Sequence, residues 1–164
     1  LSDCIDQVVD LLKPLAYKKK LELMSDLSPD LPVEILQDEA RLRQVLMNLV
    51  NNAIKFTETG HVALRVSCFD EPSAKDGDVR TMVRLDISDT GMGIREEDMA
   101  RLFVPFHQID SALSRKHDGT GLGLAIVRNV VEGIGGRVSA GNADGGGAEF
   151  ILVLPVSASH SIVS

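Results

Sequence analysis

Two glycine-rich turns constrain this chain more than any other feature: DTGMGI at residues 89–94 and GTGLGL at residues 119–124. Glycine has no Cβ, so its backbone reaches positive φ and its N–H can approach a ligand closely. The second turn leads into LGLAIVRNVVEGI, whose apolar periodicity reads as a helix. Its amides would stand at a helix N-terminus, where aligned peptide dipoles favour an anion such as phosphate. Between the turns lie LFVPF and then HQIDSALSRKHDG, which is polar and without a period. HQIDSALSRKHDG therefore reads as a lid loop that orders on a nucleotide. Taken singly, either glycine cluster also fits an ordinary loop.

A helix expected over residues 38–56, DEARLRQVLMNLVNNAIKF, narrows the choice. Asp38 is its N-cap. At 100° per residue, Leu42, Val45, Leu46, Met47, Leu49, Val50, Ala53, Ile54 and Phe56 form a wide apolar arc, while Arg41, Gln44, Asn48, Asn51, Asn52 and Lys55 form a narrow polar stripe. Asparagine competes with helical hydrogen bonding, so three of them are a poor choice for a merely solvated helix face. Asn48, Asn52 and Lys55, at i, i+4 and i+7, would present two amides and an ammonium in a row. Such a row suits Mg²⁺ and phosphate oxygens.

Taken in order, residues 1–20 read as a helix with Ile5, Val8, Val9, Leu12 and Leu15 on one side, and Pro14 is expected to kink or end it. Residues 21–27 are strand-like. HVALRVSCF and VRTMVRLDIS alternate as half-buried strands around an exposed loop, DEPSAKDGD, and the second delivers Asp89 at its end. A strand end holds a binding carboxylate firmly. REEDMARLF is a short helix pattern, with Phe103 and Phe106 as apolar anchors beside the lid. Arg115 and Lys116 are lid cations that either reach a terminal phosphate or stay solvated. The helix from Gly123 ends at Gly135 and Gly136, and RVSAG and AEFILVLP, joined by NADGGG, form a last hairpin.

A chain of 164 residues can bury about 70 % of its unfolded surface, so one domain over 1–164 needs no disulfide or metal to hold its core. A net charge of −7 argues against nucleic acid and against direct membrane contact. Cys4 and Cys68 lack metal-ligand spacing and are expected as reduced thiols in a cytoplasmic setting. No apolar run reaches bilayer length and no signal peptide opens the chain. No Gly-Lys pair exists, which excludes a GxxxxGK[ST] loop; DFG and HRD are absent, and GTGLGL does not continue as GxGxxG.

These segments in this order resemble the catalytic ATP-binding domain of sensor histidine kinases, within the GHKL superfamily that includes gyrase, Hsp90 and MutL. NLVNNAIKF is similar to the N box, DTGMGI to the G1 box, LFVPF to the F box and GTGLGL to the G2 box. The resemblance implies the Bergerat fold: a two-layer α/β sandwich whose mixed, mostly antiparallel sheet carries helices on one face, with a mobile ATP lid over about residues 104–118. It implies ATP and Mg²⁺, the metal held by Asn52, with phosphate contacts from Asn48 and Lys55. Adenine would stack near Phe56 and give its amino group to Asp89. Further nucleotide contacts would come from Gly91, Gly93 and Ile94, from Phe106 and Arg115, and from Gly119, Thr120, Gly121, Leu122, Gly123 and Leu124.

Two departures bear on mechanism. ATPases of the superfamily carry a Glu general base where this chain has Asn48; an amide cannot take the proton, so the phosphoryl is kept for transfer. Ala148 stands where the kinases often place Ser or Thr near the adenine. The phosphoacceptor is also missing. Among His61, His107, His117 and His160 only His117 precedes an acid, Asp118, and it lies in the lid. The chain is thus expected to be a monomeric catalytic module of a longer kinase. Its partners would be a helical dimerisation and phosphoacceptor domain and a response-regulator receiver domain. An anti-sigma-type serine kinase and a nucleotide-binding pseudokinase are the alternatives.

Overall fold

The sequence lays down α1 (Ser2–Lys18), β1 (Glu22–Leu27), α2 (Glu39–Phe56), β2 (His61–Pro72), β3 (Val79–Asp89), α3 (Glu96–Met99), α4 (Gly123–Gly133), β4 (Arg137–Asn142) and β5 (Ala148–Pro155). The structure is a computed structural model and describes residues 1–31, 38–74, 77–105 and 123–156. The strands form one sheet in the order β1-β2-β3-β5-β4. β1 and β2 are parallel, whereas β2–β3, β3–β5 and β5–β4 are antiparallel. This is the mixed, mostly antiparallel sheet that the sequence led us to expect.

Strand alternation sends one set of side chains to a single face. Val62, Leu64 and Val66 of β2, Val83, Leu85 and Ile87 of β3, and Leu152 and Leu154 of β5 join one core with α1, α2 and α4, which supply Ile5 and Val8, Leu46 and Ile54, and Val127 and Val131 respectively. The three helices therefore share one face of the sheet. α2 is central: Asp38 caps it by accepting the Arg41 N–H at 3.1 Å, and its apolar arc packs Leu46, Leu49, Val50 and Ile54 at 1 % exposure or less.

Three expectations need correction. Pro14 neither ends nor bounds α1, which runs through it to Lys18. The N–H that Pro14 lacks would have served the Asp10 carbonyl, and both residues lie on the exposed side, where water can take the carbonyl instead. β2 extends beyond its alternating run to Pro72, because Thr81 donates to Asp70 at 2.8 Å and Arg80 pairs with Glu71 at 2.8 Å directly across the ladder. α3 is only four residues. After it the chain tightens into i→i−3 turns, Arg101 N–H to Asp98 O at 3.0 Å and Val104 N–H to Arg101 O at 3.1 Å, and Leu102 becomes buried against Ile94 and Ala148. Gly135, at φ +82, closes α4 as expected. Both cysteines are free.

Candidate nucleotide-binding site

Asp89 is the last residue of β3 and is only 7 % exposed. Its Oδ1 accepts the Gly91 N–H at 2.9 Å and the Ala148 N–H at 3.1 Å. Both donors exist because glycines bring backbone against it. A Cβ on Gly91 would stand 2.5 Å from the Phe56 carbonyl oxygen, and one on Gly147, at φ +87, 1.8 Å from the Asp89 carbonyl oxygen. Burial pushes the Asp89 carboxyl above the usual carboxylate range, and the two backbone donors pull the other way. With Oδ1 committed twice, Oδ2 meets no donor among the described residues. It is the oxygen left for a ligand.

The turn after Asp89 is held from two sides. Thr90 Oγ1 accepts the His61 N–H at 3.0 Å and donates to the Thr59 carbonyl at 3.0 Å. Asn142, at the end of β4, accepts the Ile94 N–H on Oδ1 at 2.7 Å and donates Nδ2–H to the Ile94 carbonyl at 2.8 Å. That bidentate pairing copies a strand contact and requires Gly93, whose Cβ would lie 2.8 Å from Asn142 Oδ1.

Around Asp89 opens a cleft lined by Asn52, Ala53, Phe56, Asp89, Met92, Gly93, Ile94, Leu102, Leu124, Ala148 and Phe150. Its walls are apolar and aromatic, and Asp89 is the one ionisable lining residue among those described. A flat, largely apolar ligand with one outward N–H donor fits this arrangement, and an adenine ring has that shape. Phe103 supports the wall from behind, meeting Phe150 edge to face with centroids 6.4 Å apart.

Of the expected site residues, the fold brings Asn52, Phe56, Asp89, Gly93, Ile94 and Leu124 to the cleft. Gly91 stands behind it, holding Asp89. Asn48 lies one helical turn before Asn52 and is half-buried but does not line the cleft. Lys55 rests its ammonium 5.5 Å from the Phe56 ring centroid. Gly123 begins α4. Phe106, Arg115, Gly119, Thr120, Gly121 and Leu122 lie outside the described residues, as does most of the expected lid. The sequence reading missed Ala53, Met92, Leu102 and Phe150 as lining residues, and Asn142 as a clamp. Ala53 was legible, because one helical turn separates it from Leu49 and one residue from Asn52. The Asn142 pairing is tertiary and left no local signal.

Comparison with known proteins agrees with this geometry. The chain matches the family model "Histidine kinase-, DNA gyrase B-, and HSP90-like ATPase" over residues 37–158. It is 39% identical over 154 residues to the sensor protein GacS of Pseudomonas syringae pv. syringae, covering 94% of this chain and 16% of that protein. It is 40% identical over 164 residues to the sensory/regulatory protein RpfC of Xanthomonas campestris pv. campestris, covering 100% of this chain and 22% of that protein. This chain thus spans well under a third of either curated relative. Full-length ShkA, solved in complex with AMPPNP, superimposes with a TM-score of 0.74 at 41% identity, over 94% of this chain and 29% of that one. The buried carboxylate, the glycine turns packed on it and these likenesses together place the chain in the histidine kinase-, DNA gyrase B- and HSP90-like ATPase family.

Proposed function

We propose that this chain is the catalytic ATP-binding domain of a sensor histidine kinase, which binds Mg-ATP in the Asp89 cleft and gives the γ-phosphoryl to a histidine on a helical dimerisation domain. The observation that carries the reading is the Asp89 carboxylate, 7 % exposed, with Oδ1 tied to two backbone donors. Asp89 Oδ2 accepts the adenine amino group while Phe56, Ile94 and Phe150 hold the ring. Asn52, on the same helix as Phe56, then stands toward the triphosphate, with Asn48 and Lys55 as further phosphate contacts. The described residues hold no group of three or more His, Cys, Asp or Glu that could bind a metal alone. That fits a Mg²⁺ brought in on the phosphates, with the Asn52 amide oxygen as its protein ligand. When bound, the metal neutralises charge developing on the transferred phosphoryl.

Among the described residues no lining side chain near the phosphate end can act as general base for water, since Asp89 is engaged with the base ring. The domain therefore positions and neutralises rather than hydrolyses. Residues 1–164 would act as one module on the cytoplasmic side, where ATP is available, with a receiver domain accepting the phosphoryl downstream. Among the described residues no helix is long and apolar enough to cross a membrane. The test is incubation with γ-labelled ATP, with and without a helical acceptor domain in trans. The expected result is little turnover alone and acid-labile, base-stable label on the acceptor. Acid-stable label on a serine, or fast hydrolysis by the lone chain, would overturn the histidine-kinase reading.

A further inference from the structure

The last turn of α2 leaves carbonyls that need donors from elsewhere. Thr57 Oγ1 donates to the Ala53 carbonyl at 2.7 Å, and the Phe56 carbonyl is packed under Gly91. The Ile54 carbonyl takes the Thr57 N–H at a long 3.4 Å, and it and the Lys55 carbonyl both receive Lys19 Nζ, at 2.7 Å and 3.0 Å. Lys19 belongs to none of the glycine or asparagine motifs. It stands in the corner between α1 and β1, which is fixed by Lys20 N–H to Tyr17 O at 2.9 Å and Leu21 N–H to Ala16 O at 2.9 Å. Lys20 holds φ +59 there, so the corner is specific rather than slack.

We infer that Lys19 is a positioning residue of the nucleotide site: its ammonium pins the C-terminal turn of α2, and so sets Lys55, Phe56 and the Phe56 carbonyl on which the Gly91 turn rests. A cation on the two carbonyls also opposes the negative end of the α2 dipole. Without it, the turn carrying the ring wall and the phosphate-facing ammonium loses its side-chain hydrogen bonds from the α1–β1 corner. This inference rests on the proposed nucleotide reading, and its test separates the two.

The affinity for Mg-AMPPNP is measured by calorimetry for the wild type, Lys19→Met, Lys19→Arg and Leu27→Ala. Leu27 lies on edge strand β1, half-buried against the core, and its truncation lowers the melting temperature without touching the site. Lys19→Met is expected to bind roughly tenfold more weakly, the size of one lost charge-assisted tie, and to shift the Phe56 and Gly91 amide resonances. Lys19→Arg is expected to retain most of the affinity, and Leu27→Ala all of it. Where Lys19→Met does not fold, Lys19→Gln, which keeps a neutral donor, carries the same comparison with a smaller loss. Binding by Lys19→Met within twofold of wild type, or a loss equal to that of Leu27→Ala, overturns the inference while leaving the nucleotide site intact. A wild type that binds no AMPPNP overturns both.

Discussion

Replacing Asp89 with asparagine separates function from stability at one atom. Oδ1 is fixed as an acceptor by the Gly91 and Ala148 N–H groups, at 2.9 and 3.1 Å, so the new amide must turn its NH₂ into the cleft. Two donors, this NH₂ and the adenine amino group, then face each other. The lost hydrogen bond to a charged group is about 1.5–3 kcal/mol, so ATP affinity should fall roughly 10- to 150-fold. The free fold should not suffer, because the substitution removes a carboxylate whose ionisation burial opposes. The direction with pH follows from that raised value. Between the ordinary carboxylate pKa and the raised one, the folded chain holds more proton than the unfolded chain, so wild-type stability declines as pH rises through that window. Asp89→Asn lacks this decline, and its melting temperature should match or exceed wild type at neutral pH and lose the advantage in acid. Calorimetry and thermal melts at several pH values check both halves. Unchanged ATP affinity, or a neutral-pH stability loss above about 1 kcal/mol, the scale of one ordinary hydrogen bond, would refute the reasoning.

Asn52→Ala should abolish Mg²⁺-dependent phosphotransfer while leaving Mg²⁺-free ADP binding nearly intact, as read by labelling and calorimetry; equal transfer rates would remove Asn52 as the metal ligand. Gly147→Ala must place a Cβ 1.8 Å from the Asp89 carbonyl oxygen at φ +87, so urea melts should show a loss of at least about 2 kcal/mol from strain and displaced packing. Lys20→Gly should raise stability by about 1 kcal/mol, since only glycine takes φ +59 without steric cost.

Much of this was legible because local and tertiary demands coincide. Asp38 caps α2 as its position before an apolar period requires, and the alternation of Val62, Leu64 and Val66 places them in one core. Asp89 stood out because a strand end and a glycine turn meet there. What stayed hidden depends on distance along the chain. Asn142 clamps Ile94 from 48 residues away, and Lys19 reaches Ile54 from 35 away, so neither leaves a local pattern. β2 runs past its alternating stretch because Asp70 and Glu71 find partners on the opposite strand, and a polar tip read alone suggests only a loop. Leu102 looked like one residue of an aromatic motif; the tight turns after α3 make it part of the cleft floor.

The central claim is that the cleft at Asp89 reads an adenine ring through an amino group. Adenine presents that group where guanine presents a carbonyl oxygen, which a carboxylate repels. Titration of the chain with AMPPNP and with the matching guanosine analogue, under the same Mg²⁺ and salt, tests this most directly. The account expects the adenine nucleotide to bind at least about tenfold tighter, one lost charge-assisted hydrogen bond being worth that much. Equal affinity for the two, or binding of neither, would contradict it.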